Sequence, residues 1–215
     1  PQLCTSLGVL HSSVKPESSL HTRATLEAFL GGKRLHDVFE WFDMDPIGAG
    51  CIAQVHRAVP KQPFTSTAPL EKGTADPRQV VLAVKVKRAN VDEVVAQDLR
   101  LMRFGAWVLS SLPLAGIEYL ALVDALDTFA HHMTSQLDLR QEAVHLRRLH
   151  HNFNHTNSNV AGKVVFPRVV DGREPLPPHS ASVLVETFEA GTPLMEWVAQ
   201  PHITAEAKKA LVLPL

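Results

Sequence analysis

A chain of 215 residues with 45% hydrophobic and 20% charged residues is long enough for one sizeable core or two small lobes, and its composition excludes the disordered class. Its 21 Lys and Arg stand against 22 Asp and Glu, a formal charge of −1, which excludes a global field that would attract nucleic acid or an anionic membrane; either partner would need a local patch. Two cysteines, Cys4 and Cys51, are too few and too far apart for a disulfide framework or a CxxC metal site.

In chain order, HTRATLEAFLGG reads as a short helix with Leu26, Phe29 and Leu30 on one face and Gly31 as a left-handed cap. LHDVFEWFDMDP leads into PIGAGCIAQVHRA, whose glycines precede an alternating run: Ile52, Gln54 and His56 on one face, Cys51, Ala53 and Val55 on the other. The pattern predicts a strand over 51–59 and a second, richer in β-branched residues, over 80–88. The Pro, Thr and Gly-rich stretch between them is expected to be a long surface loop joining an antiparallel pair. Asn90 as N-cap, with Asp92 and Glu93 in the first turn, predicts a long helix. A further helical stretch runs over about 118–152, with Leu122, Leu126, Phe129, Met133, Leu137, Val144 and Leu149 near helical spacing. VVFPRVV and ASVLVETFEAG read as two more strands. An antiparallel sheet with segregated helices is an α+β layout.

The stretch 104–123 imitates a membrane span, but Pro113 and Glu118 interrupt it. A buried helical hairpin turning near SSLPLAG explains the same residues, since Pro ends a helix and Gly116 permits the reversal.

Gly48-x-Gly50 alone is weak, because glycine pairs precede many plain turns. The longer run from Gly48 through Ala49, Gly50, Cys51, Ile52 and Ala53 to Val55 fits the kinase pattern G-x-G-x-x-G-x-V, with Ala53 for the third glycine. There, a turn between strands presents backbone N–H groups to phosphate oxygens and Val55 would cover a purine. A dinucleotide fingerprint would run from strand into helix, against the β-like CIAQVHRAV. LAVKV is like the Val-Ala-x-Lys strand of kinases: alternation puts Lys85 on the face of Ala83, opposite Val84 and Val86. The plain alternative is an outward strand lysine. Such a lysine needs an acidic partner, and Glu142 in QLDLRQEAVHL is the best candidate, on a helix where Leu139, Ala143 and Leu146 can pack inward. Asp138, one turn earlier on the same side, competes, and a solvated Glu142 is the plain alternative.

PIGAGCIAQVHRA, LAVKV, QLDLRQEAVHL and VVFPRVV…SVLVETFEAG, in this order over about residues 22–200, resemble the UbiB or aarF-domain family of atypical protein-kinase-like proteins, and the Gly and Cys of the loop most resemble a mitochondrial branch of it. The resemblance implies a protein-kinase-like N-lobe: a helical extension over 1–40, the lobe over 41–190 with a helical insertion at about 90–135, and the start of a C-lobe over 191–215. It implies a phosphate-facing loop of Gly48, Ala49, Gly50, Cys51, Ile52 and Ala53, a nucleotide lysine Lys85, a helix-C glutamate Glu142, and a hinge of Glu186, Thr187 and Phe188 that holds adenine through backbone groups. The implied ligand is ATP or ADP with Mg²⁺, the metal ligands falling downstream of this chain.

The implied setting is mitochondrial lipid or coenzyme Q metabolism, with a lipid or membrane surface and coenzyme Q biosynthesis proteins as partners and no nucleic acid. Where the family has an alanine-rich loop, this chain has Gly48-Ala49-Gly50-Cys51, which opens the nucleotide preference. The family's K-x-G-Q, H-A-D-x-H-P-G-N and D-F-G motifs do not occur in this chain, which opens without an initiator Met or a targeting segment and stops in KKALVLPL within a helical pattern. It therefore reads as a fragment, inactive alone, of an atypical kinase-like enzyme or ATPase. The alternative is a nucleotide-sensing pseudokinase or membrane-associated scaffold that transfers no phosphoryl group.

Three further features read plainly. His131, His132, His145, His150, His151 and His155 fall on several helix faces without a completing Cys or acidic cluster, so they read as surface histidines rather than zinc ligands. Cys51 reads as a small buried packing residue in preference to a redox-sensitive thiol. HLRRLHH reads as a solvated helix face.

Overall fold

The computed structural model describes residues 14–61, 81–111, 121–155, 164–170, 176–192, 194–200 and 204. Their order is α1 (Ser19–Phe29), α2 (Leu35–Val38), β1 (Phe39–Phe42), β2 (Gly48–Ala49), β3 (Ala53–Pro60), β4 (Leu82–Lys87), α3 (Val91–Ser111), α4 (Leu122–Gln136), α5 (Leu139–His155), β5 (Val183–Thr187) and α6 (Leu194–Ala199). The sheet runs β1-β3-β4-β5, with β2 also on β3, and every pairing is antiparallel. The expected α+β fold with an antiparallel sheet is the one observed.

Strand alternation divides the sheet into two faces. On one, Leu82, Val84 and Val86 of β4 and Val183 and Val185 of β5 form a single core with Leu26, Leu30, Leu35 and Val38 from the two N-terminal helices. On the other, Leu184 packs against Leu139 and Ala143 of α5, with Leu146 and Val169 beside them. Helices therefore cover both faces, and burying side chains such as Leu26 and Leu184 contributes about 2 kcal/mol each.

The α1 terminus follows the expected wording. Gly31 has φ +69°, and the N–H groups of Gly31 and Gly32 donate to Ala28 and Glu27 carbonyls at 3.1 and 2.8 Å, closing the last turn. Gly48, by contrast, has no positive φ and nothing within 4 Å of where a Cβ would stand. Gly31→Ala is expected to cost about 1 kcal/mol and Gly48→Ala to stay within about 0.5 kcal/mol of wild type, as urea denaturation would measure.

Several boundaries differ from the sequence reading. The strand expected over 51–59 starts at Ala53, because the N–H of Gly50 donates to the Ala53 carbonyl at 2.9 Å and closes a turn through Cys51 and Ile52. The expected second strand is shorter, Leu82–Lys87. Asn90 lies where the third helix begins but at φ +53°, a left-handed residue rather than an extended N-cap. The helix expected over 118–152 is two helices, α4 and α5, broken at Leu137 and Asp138. Asp138 starts the second: its Oδ1 accepts from the Arg140 N–H at 3.0 Å.

VVFPRVV forms a single bridge, Val169 to Glu186, in place of a strand, since it borders one short edge of β5 only. The helical hairpin is present as α3 and α4, but its apolar face is not buried: Phe104 and Trp107 are each 61% exposed. Among the described residues no helix is long and apolar enough to cross a membrane. The loop between β3 and β4, the hairpin turn near SSLPLAG, and Cys4 lie outside the described residues.

Candidate functional site

The site grows out of the β4 alternation. Because Ala83, Lys85 and Lys87 point away from the aliphatic core, they face α5 and the β2–β3 turn. Lys85 pairs in register with Val55 on one side and Leu184 on the other. Its Nζ donates to both carboxylate oxygens of Glu142, at 2.7 and 2.6 Å. Leu139 and Ala143, buried against Leu184, fix the α5 face that carries Glu142. Asp138, the competing carboxylate, is engaged instead by the Arg140 guanidinium, which holds its carboxyl below the usual carboxylate range.

A cavity of about 690 Å³ opens beside this pair. Of the residues read from the sequence for this cleft, Gly50, Cys51, Ile52, Ala53, Lys85 and Glu142 line it, together with the competing Asp138 and its neighbour Leu139. Gly48 and Ala49 form β2 just before the turn, and Val55, Ala83 and Glu186 lie farther along the same sheet. Cys51 is exposed, against the buried packing residue expected, because the turn carries it off the strand. The α4 end contributes His132, Ser135 and Gln136, and α5 contributes Gln141 and His145. Two of the histidines read as surface residues therefore border the cavity; only the packing of α4 on α5 places them there. Among the described residues no group of three or more His, Cys, Asp or Glu could hold a metal ion.

The three hinge candidates fall at the end of β5. The Thr187 N–H donates to the Arg168 carbonyl at 2.9 Å and the Phe188 N–H to the Val81 carbonyl at 3.1 Å, so both are engaged within the sheet. Glu186 pairs with Ala83 and shares the face of Leu184. Burial, then the nearby Glu142 carboxylate, raises its pKa to about 7; Lys85 opposes the rise and Glu189 adds to it.

Behind the loop lies a polar layer that sequence reading missed. Gln54, 1% exposed, accepts from the Glu17 N–H at 3.0 Å through Oε1 and donates to the Thr22 hydroxyl at 2.7 Å through Nε2. The Glu17 carboxylate accepts from the Ala89 N–H at 3.1 and 3.0 Å. The Arg88 guanidinium donates to the carbonyls of Gly50 and Lys15 at 3.3 and 2.9 Å. The segment before α1 is thus tied to the back of the loop. Lys87, also unremarked in the sequence, donates to Asp92 and to the Leu137 carbonyl, joining β4 to both insertion helices. A polar residue at an inward strand position, such as Gln54 among apolar neighbours, was the available signal.

His56 is fully buried, stacked on Phe42 at 5.4 Å, with Nδ1 2.9 Å from the Asp43 carbonyl. A carbonyl only accepts, so Nδ1 carries the proton and Nε2 is a buried acceptor with no partner among the described residues. Burial lowers the pKa below 6.5 despite Asp43 and Asp45. Below pH 6.5 the unfolded chain takes up a proton that folded His56 resists, so this residue makes stability fall as the pH drops. The loss from pH 7 to pH 5.5 should be shallower in His56→Gln, as denaturant titrations at the two pH values would show.

Comparison with known proteins places this arrangement. A solved structure from Mycobacterium tuberculosis, described as the complex of Rv3197 with erythromycin, superposes with a TM-score of 0.62 over 91% of this chain and 41% of that one, at 22% identity, a likeness of fold alone. It supports the kinase-like N-lobe as the fold. A probable serine/threonine-protein kinase, abkC, of Dictyostelium discoideum is 31% identical over 88% of this chain. The mitochondrial ABC1 family protein YPL109C of Saccharomyces cerevisiae is 35% identical over 70%. A probable protein kinase UbiB of Vibrio atlanticus is 34% identical over 71%. The chain spans 23%, 22% and 25% of the length of these three relatives. The family model of the ABC1 atypical kinase-like domain matches residues 9–209, and the chain belongs to that family.

Proposed function

We propose that this chain forms the nucleotide-binding lobe of an ATP-binding, atypical kinase-like protein or ATPase of mitochondrial lipid or coenzyme Q metabolism. The Lys85–Glu142 ion pair at the wall of a cavity shared with the Gly50–Ala53 turn carries the reading. A nucleotide fits these residues: Lys85 is a cation for phosphate oxygens, Glu142 holds its Nζ in place, and open space lies beside Gly48. Bound ATP or ADP would supply the transferable phosphoryl group; this chain's part is to hold the phosphates and aim the lysine. Magnesium ligands are assigned to residues beyond this chain.

The mitochondrial setting rests on the names of yeast relatives, and the coenzyme Q and membrane partners on the family resemblance. A thermal-shift titration of the full-length protein with ATP and ADP, with and without magnesium, tests the reading, since a ligand specific to the native state raises the melting temperature by mass action. No shift with either nucleotide up to millimolar concentration would sink it.

A second reading, a nucleotide-sensing pseudokinase or scaffold, is favoured by the tie between the loop and the segment before α1 through Arg88 and Gln54. Binding without measurable phosphate release or transfer would select it over the enzyme.

A further inference from the structure

We propose that the Glu186 side chain is the group by which this cleft distinguishes a 6-amino purine from a 6-oxo purine. The inference rests on the nucleotide reading above and adds a residue that reads the base. Three observations place it. Glu186 is opposite Ala83 in the β4–β5 ladder and on the face of Leu184, so its side chain is directed to the side where Lys85 meets Glu142. Ala83 lies two strand residues from Lys85, about 6.6 Å at the usual rise, roughly the reach of a ribose between a base and its first phosphates. A nucleotide whose phosphates meet Lys85 and whose base extends past the cavity lining toward the end of β5 brings that base beside Ala83, whose methyl leaves room for a flat ring, with the Glu186 carboxyl at the ring's edge. Finally, the N–H groups of Thr187 and Phe188 are already engaged by Arg168 and Val81, which leaves the carboxyl as the polar group of β5 presented to that edge.

The chemistry then sets the preference. An ionised carboxylate only accepts hydrogen bonds. At the 6-position adenine offers an amino N–H, whereas hypoxanthine and guanine carry a carbonyl oxygen there and shift their donor to N1, so a carboxylate aligned with the 6-position pairs with adenine and meets an unpaired acceptor in a 6-oxo purine. Protonated, the same carboxyl donates and accepts a 6-oxo purine. Its pKa of about 7 puts this change within the physiological range. The charged groups acting on it are Glu142 from α5, Lys85 from β4 and Glu189 just after β5; its backbone neighbours Ala83 and Val169 carry no charge.

The experiment measures ATP and ITP affinities of the full-length protein by calorimetry at pH 8 and pH 6, in wild type and in Glu186→Gln. Wild type should favour ATP by about tenfold or more at pH 8, with the ratio shrinking severalfold at pH 6. The triphosphates of the two ligands titrate alike, so their pH dependence cancels in the ratio. In Glu186→Gln, whose amide both donates and accepts, the ratio should fall toward unity and lose its pH dependence. A ratio in Glu186→Gln equal to that of wild type, or a wild-type ratio flat between the two pH values, overturns the inference while the nucleotide reading stands. Failure of wild type to bind either triphosphate overturns both.

Discussion

Lys85→Ala in the full-length protein should lower ATP affinity or turnover by tenfold or more while moving the melting temperature by only a few degrees. The two halves of this expectation come from the same geometry. Lys85 and Glu142 are 25% and 37% exposed, so solvent screens their attraction and the pair contributes about 0–1 kcal/mol to folding. For a phosphate group arriving in the cavity, however, the Lys85 ammonium is the cation placed at its wall, and losing a charge-assisted contact removes about 1.5–3 kcal/mol of binding. The variant also leaves Glu142 and Glu186 facing each other without the intervening cation, so the Glu186 pKa should climb above its value of about 7. The apo variant should therefore lose stability relative to wild type as the pH rises above 7, where Glu186 ionises beside the Glu142 carboxylate with no cation between them. Glu142→Gln separates charge from position: it keeps the side chain's shape, frees Lys85 to wander, and should weaken binding less than Lys85→Ala. Equal ATP affinity and turnover in Lys85→Ala and wild type would remove the cavity from consideration as the nucleotide site.

How much of this could be read from the chain depended on the range of the interaction. Strand alternation is local, and it put Lys85 with Ala83 and against Val84 and Val86, as the structure has them. Helical spacing is local too, and Leu139, Ala143 and Leu146 do face the sheet. Periodicity failed where a single polar residue interrupts it: Asp138 matches the helical pattern on either side, and only its bond to the Arg140 N–H makes it a start. It failed again on the α3–α4 hairpin, since an apolar stripe such as Phe104 and Trp107 is written the same way whether or not something covers it. VVFPRVV has the composition of a strand, but a strand needs a partner along its length, and Val169 meets only Glu186. The family wording around Gln54 and His56 marked those positions without giving their reason, which for Gln54 lies 37 residues upstream in Glu17 and 32 upstream in Thr22, and for His56 in the Asp43 carbonyl and the Phe42 ring.

That upstream connection makes Gln54→Ala the largest stability change expected at any polar position in the lobe, a loss of about 2–4 kcal/mol. Gln54 is 1% exposed and Thr22 is fully buried, so truncation strips the Glu17 N–H of its acceptor, leaves the Thr22 hydroxyl without its donor, and opens a void at the back of the loop. The orphaned groups, rather than the lost contacts, supply most of the cost. Adding Thr22→Val to Gln54→Leu removes both partners of the side-chain bond in favour of apolar groups, and this pair should recover part of the loss that Gln54→Leu alone incurs. Urea denaturation of the three variants measures this directly. Nucleotide affinity gives the functional half: Gln54 anchors Glu17, Glu17 holds Ala89, and Arg88 beside it holds the Gly50 carbonyl, so loosening the first link should loosen the turn that borders the cavity. A Gln54→Ala protein less stable by the expected amount but unchanged in ATP affinity would make this layer a structural cement alone. A loss below about 0.5 kcal/mol would show that the segment before α1 is not held through Gln54 in solution.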